Sequence, residues 1–135
     1  MDHKILVIDT NIIFPALIPQ KSKIRNLLFD SDIKFYAPNF LIYEIYAHKE
    51  KILKSSKLNE HNFYILFNNI LECIRFVPMD LIDMQSRHKA YELCKGIDEK
   101  DTPFVALAIY LDCPLWTGDK TLKKGLLKKG FKLLY

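Results

Sequence analysis

The sequence has few cysteines, no long apolar run and no strong excess of charge, and each shortage closes off a class of function. Cys73, Cys94 and Cys113 are odd in number, far apart and form no C-x-x-C pair. That argues against a disulfide framework or a zinc knuckle, and for a reduced, intracellular compartment. The longest strictly apolar run, Phe104 to Leu111, is far too short to span a bilayer. No basic-then-apolar leader opens the chain, because Asp2 and Asp9 bracket the only early apolar run. The net charge of +4 permits a polyanionic partner without requiring one. His3, His61 and His88 form no constellation, and Cys94 has no base near it in sequence. No repeat, low-complexity tract or linker divides the 135 residues, so a single cytoplasmic domain over residues 1–135 is expected.

What is present is an ordinary globular balance, 50% apolar and 27% charged, arranged as strands alternating with helices. Ile5-Leu6-Val7-Ile8 has no polar alternation, which suits a strand covered on both faces of a parallel sheet. A helix within Ile12 to Ile18 is expected to be short or to begin at Pro15, and to be closed by Pro19. A second, capped by Ser22, should run to Asp30. Lys34 to Ala37 reads as the next strand, and Phe40 to Ser55 and Asn59 to Leu71 as helices. Ile74 to Val77 reads as an edge strand or a plain connection ended by Pro78. Met79 to Cys94 reads as a helix stopped by Gly96. Phe104 to Leu111, opened by Asp101 and Pro103, is apolar all round and should be buried. Leu115 to Thr117, a helix over Leu122 to Lys129 and a last strand over Phe131 to Leu134 complete the series. The alternation predicts a small three-layer α/β sandwich, with a mostly parallel sheet of four to five strands and helices on both faces.

Taken singly, Asp9, Asp101 and Asp119 are ordinary turn or helix-cap residues. Their positions together say more. Asp9 and Asp119 each directly follow, or nearly follow, an apolar strand, and in a parallel sheet those ends share one side. Asp101 opens a helix, whose positive end favours a carboxylate. Glu44 stands between apolar neighbours and needs a partner. His48 shares its helical face, so a zinc pair is one alternative. Carboxylates gathered at one spot raise one another's pKa and are stable mainly when a cation offsets them. All-oxygen ligands select magnesium or manganese, and that combination points to phosphoryl chemistry.

Four segments in order resemble the PIN domain, a metal-dependent ribonuclease fold that includes toxins of the VapC type. They are Val7-Ile8-Asp9-Thr10-Asn11, Leu41-Ile42-Tyr43-Glu44-Ile45, Asp101 to Ala108 in the pattern D-x-x-x-x-A-x-A, and Trp116-Thr117-Gly118-Asp119-Lys120. The resemblance implies an acidic site of Asp9, Glu44, Asp101 and Asp119, supported through hydrogen bonds by Asn11 and Thr117. Asp98 is an extra acid one turn before Asp101, and either or both could be ligands; spacing favours Asp101. The implied activity is hydrolysis of an RNA phosphodiester with Mg2+ or Mn2+, leaving a 5′-phosphate. RNA is the implied substrate, with an antitoxin protein and a homodimer as the partners the resemblance allows.

The basic run Lys120, Lys123, Lys124, Lys128, Lys129 and Lys132 reads by default as a solvated face. Lys120, next to Asp119, is the candidate for an RNA phosphate contact. Tyr43 and Tyr46 flank Glu44 and are expected in core packing or a dimer contact, with base stacking the other role open to them. A second class of function is a catalytically silent nucleic-acid-binding or regulatory module of the same fold. A third, phosphotransfer on Asp9, is disfavoured: Asn11 stands where a D-x-D phosphatase needs its second Asp, and Met1-Asp2 comes too early for a receiver's acid pair.

Overall fold

A computed structural model describes residues 4–18, 22–29 and 32–135. Four strands form one all-parallel sheet: β1 (Lys4–Ile8), β2 (Ile33–Pro38), β3 (Ile74–Val77) and β4 (Leu115–Trp116), in the order β3-β2-β1-β4. Helices α1 (Thr10–Ala16), α2 (Ser22–Leu28), α3 (Phe40–Ala47), α4 (Lys49–Ser56), α5 (Glu60–Glu72), α6 (Met84–Cys94), α7 (Thr102–Leu111) and α8 (Lys120–Lys128) flank it. This is the expected PIN-like three-layer α/β architecture.

The strand order decides where chemistry can sit. From β1 the chain moves outward to β2 and β3, then returns to lay β4 on the other side of β1. Parallel α/β sheets form a crevice at such a reversal, beyond the carboxyl ends of the two strands. Here those strands are β1 and β4, joined in register Val7 to Leu115 and Ile8 to Trp116. The residues that follow them are Asp9 and Thr117.

Leu6, Val7 and Ile8 are wholly buried, whereas Ile5 lies at the exposed start of β1. The apolar α7 is the central packing helix, with Phe104 to Ala108 wholly buried and contacts to α6, β1, β2 and β4. Among the described residues, no helix is long and apolar enough to cross a membrane.

Several elements differ from the sequence expectation. The helix expected over 40–55 is two helices, broken at His48 (φ −109°, ψ 14°), although its apolar periodicity runs through the break. The stretch 79–94 is a 3-10 turn (Met79–Leu81) followed by α6, because Asp83 adopts an extended backbone and caps α6 by accepting from Ser86 N. α1 starts at Thr10, ahead of Pro15, which lies inside the helix and leaves one backbone hydrogen bond unmade just before it ends at Ala16. α2 ends at Leu28, and α7 and α8 each start two residues early. Ile74–Val77 is a paired edge strand. The last strand shrinks to a bridge of Leu134 with Leu115, held by Leu115 N to Leu133 O (3.0 Å) and Tyr135 N to Leu115 O (2.9 Å). Pro19, Asp30 and the Ser22 side chain lie outside the described residues.

Candidate active site

The strand ends are tied together before any side chain is considered: Asp9 N donates to Trp116 O at 2.9 Å. Asp9 then turns the chain into α1. Its Oδ1 accepts from Thr10 N (2.7 Å) and its Oδ2 from the Thr117 hydroxyl (2.7 Å). Thr117 is a hub. Its hydroxyl oxygen also accepts from Asn11 Nδ2 (3.2 Å) and from Asp119 N (3.1 Å). Asn11 Oδ1 in turn accepts from Gly118 N at 3.0 Å. Asp119 caps α8, its Oδ1 accepting from Leu122 N at 3.1 Å. One hydrogen-bonded lattice thus links Asp9, Asn11, Thr117 and Asp119. Asp9 and Thr117 are its buried members, at 3% and 1% exposure.

Glu44 reaches the site from α3, where the Thr10 hydroxyl donates to its Oε1 at 2.7 Å. Thr10 is the residue that the sequence reading missed. It stands directly after Asp9, so its place at the strand end was visible, but its partner lies 34 residues away. The Glu44–His48 zinc pair does not form. The His48 ring donates from Nδ1 to the Glu44 backbone carbonyl (2.9 Å) and packs edge-on against Phe14.

Asp98 and Asp101 bracket a 3-10 turn (Glu99–Asp101) leading into α7. Asp98 is exposed and spends Oδ1 on Lys100 N (3.0 Å). Asp101 takes the N-cap position of α7, but its carboxylate makes no capping hydrogen bond there. The plain helix-cap explanation therefore fits Asp98 and Asp119 better than it fits Asp101.

The electrostatics follow from this arrangement. Burial pushes the Asp9 carboxyl from 3.8 up to about 6; the bonds from Thr117 and Thr10 pull against it, while Glu44 and Asp119 add to it. Burial pushes Asp101 up to about 7, with Asp9, Asp98, Asp119 and Glu44 all contributing repulsion. Asp9 and Asp101 are thus each raised further by the charges of the neighbouring acids. Among the described residues, no three His, Cys, Asp or Glu side chains stand together as a ready metal-binding group. The donor chemistry nevertheless suits a hard divalent cation, being all oxygen and short of compensating positive charge. Burial drives the Cys94 and Cys113 thiols up to about 11, far from nucleophilic character at neutral pH. A hollow of about 360 Å³ lined by Phe14, Ile18, His48, Lys51, Ile52 and Ser55 includes none of the acids.

The model of the PIN domain family matches residues 7–132. The chain belongs to the PIN domain family. No curated protein matches the chain. Membership makes this a PIN fold of nuclease type, in a family of hydrolases that act on nucleic acids and typically depend on divalent metal. The matched span contains Asp9, Glu44, Asp98, Asp101 and Asp119.

Proposed function

We propose that residues 1–135 form a single PIN-like domain acting as a Mg2+- or Mn2+-dependent ribonuclease, with Asp9, Glu44, Asp101 and Asp119 as its acidic site. The observation that supports this reading is geometric: Asp9 and Asp119 both bond the Thr117 hydroxyl, Thr10 beside Asp9 donates to Glu44, and Asp101 opens α7 with no capping bond of its own. A bound divalent cation would neutralise phosphate oxygens and favour ionisation of the attacking water.

The chain's own residues set up that chemistry. Thr117 holds the Asp9 carboxylate and lowers its proton affinity against the effect of burial. Thr10 aims Glu44, and Asn11 fixes the turn that presents Asp119. Asp101, which makes no capping bond, is the acid best placed to serve as a ligand on the α7 side, with Asp98 as its neighbour. Lys120 is exposed beside Asp119, where it would meet substrate phosphate.

Calorimetric titration of Mg2+ and Mn2+ into wild type and an Asp9→Asn/Asp119→Asn variant, with an RNA cleavage assay alongside, tests it. Wild type should bind ion and cut RNA, and the variant should do neither. Wild type that binds no ion and cuts nothing would replace this reading with a catalytically silent nucleic-acid-binding module.

A further inference from the structure

The sequence expectation put Tyr43 in core packing or a dimer contact, yet the residue is 66% exposed on α3, one residue before Glu44. One side of it lies on Phe40, with ring centroids 5.6 Å apart and planes 23° from parallel. Phe40 is itself braced edge-on against the wholly buried Phe104 (6.5 Å, 63°), and Phe104 follows Asp101 by one turn of α7. The ring pair therefore joins the helix that carries Glu44 to the helix that Asp101 opens. Tyr46 is engaged differently, leaning on Tyr64 (6.4 Å) and Phe67 (5.7 Å), while Lys49 sits over the Tyr64 ring.

We infer that Tyr43 is a substrate-positioning residue, a shelf on which one base of a single-stranded RNA stacks while its backbone crosses the acids. The inference rests on the ribonuclease reading for the backbone's place and on the ring geometry for the shelf. A base is the favoured occupant because a flat ring, backed by Phe40 and open to solvent, matches a π-face rather than a side chain needing a pocket. The exposed Lys120 beside Asp119 supplies a counter-charge for phosphate at the same site. A base held this way makes cleavage tolerant of sequence, because stacking does not read a hydrogen-bond pattern.

The test measures binding of a short fluorescent single-stranded RNA to the full chain carrying Asp9→Asn/Asp119→Asn, so that the strand stays intact. Adding Tyr43→Ala should raise Kd about five- to hundredfold, Tyr43→Trp should restore it, and Tyr46→Ala should change it little. On an all-abasic strand, Tyr43→Ala should have no effect. Three results would overturn the shelf: unchanged binding in Tyr43→Ala, an equal loss on the abasic strand, or a change of oligomeric state by sedimentation in place of a change in RNA binding. The two readings fail separately. Tyr43-dependent strand binding by a chain that never cuts RNA keeps the shelf and removes the nuclease. Cleavage by wild type, with Tyr43→Ala identical in binding and rate, removes the shelf alone.

Discussion

The two halves of the proposed acidic site are built on different principles. On the β1–β4 side, Asp9 and Asp119 hang from a lattice in which Thr117 and Asn11 satisfy backbone and side-chain groups together. On the α6–α7 side, Asp98 and Asp101 ride a three-residue 3-10 turn, and Asp101 faces its neighbours' charge without a capping bond. The first half is fixed by the fold, because buried polar groups that bond one another leave few alternative arrangements. The second is held by the packing of α7 and by the turn's own backbone bonds, with no lattice between its acids, and we expect it to be the more adjustable of the two. A site with one rigid and one adjustable wall can accept an ion and a phosphate without rebuilding the sheet.

The contrast breaks most sharply in a pair of neutralising substitutions. Asp101→Asn should lower RNA cleavage more than about a hundredfold, whereas Asp98→Asn, already committed to Lys100 N, should lower it less than about tenfold. Cleavage rates at fixed Mg2+ decide this. Equal losses from the two would mean that the turn presents both acids as ligands.

A second prediction concerns pH. Asp9 and Asp101 have folded-state values raised from 3.8 to about 6 and about 7. Between pH about 4 and about 7 the folded chain therefore holds more protons than the unfolded one, so stability falls as pH rises through that window. Below it both states are protonated, and above it the full cost is present. For the buried Asp9 that cost is on the order of 3 kcal/mol. With chelator present, the urea midpoint should drop from pH 5 to pH 8, and Asp101→Asn should remove the upper part of the drop. Added Mg2+ should raise the midpoint at pH 8 and leave it nearly unchanged at pH 5, since only the ionised cluster gains from the cation.

The rigid half answers to Thr117→Val, which keeps the shape and removes the hub. Losing the hydroxyl withdraws a bond from buried Asp9 and leaves Asn11 Nδ2 and Asp119 N without their acceptor. At pH 8 the loss should be about 1–3 kcal/mol by urea unfolding. Because the Thr117 bond lowers the proton affinity of Asp9, the acidic limb of the cleavage profile should also move to higher pH. An unmoved limb would place the Asp9 charge outside the rate-determining chemistry.

The same contrast explains what could be read from the sequence. The positions of Asp9 and Asp119 were legible because Asp9 directly follows one apolar strand and Asp119 comes just past another, and a parallel sheet brings such ends to one side. The tie from Thr10 to Glu44 was not, since a hydrogen bond across 34 residues leaves no local pattern. The break at His48 was hidden for a related reason: the helical apolar period continues on both sides of it, and the chain departs from helix for a single residue. The last strand was over-read because Phe131 to Leu134 is apolar apart from Lys132, while β4 offers only two residues for pairing. The exposure of Tyr43 was likewise invisible, because an aromatic residue within the largely apolar stretch Phe40 to Tyr46 has the signature of core.

Gly125 supplies the smallest effect and acts on the adjustable half. Its place inside α8 costs helix propensity, so alanine should by that measure gain about 1 kcal/mol. Space forbids the gain. A Cβ at this position would overlap the Ile97 side chain, coming within 2.8 Å of Cγ1, which belongs to the β-branch and cannot swing aside as a flexible tip would. Nor can the segment slide freely, because Lys129 at the end of α8 donates to the carbonyls of Glu92, Leu93 and Lys95 at 3.2, 3.0 and 2.6 Å. The strain must then go into the stretch between Ile97 and α7, the turn that carries Asp98 and Asp101. Gly125→Ala should therefore destabilise by about 1 kcal/mol net, the overlap outweighing the propensity, and should slow cleavage although it touches no acid. Adding Ile97→Ala removes the obstacle and should recover the cleavage rate. If Gly125→Ala weakens the fold while the cleavage rate holds, the turn is as rigid as the lattice opposite, and the two walls of the site do not differ.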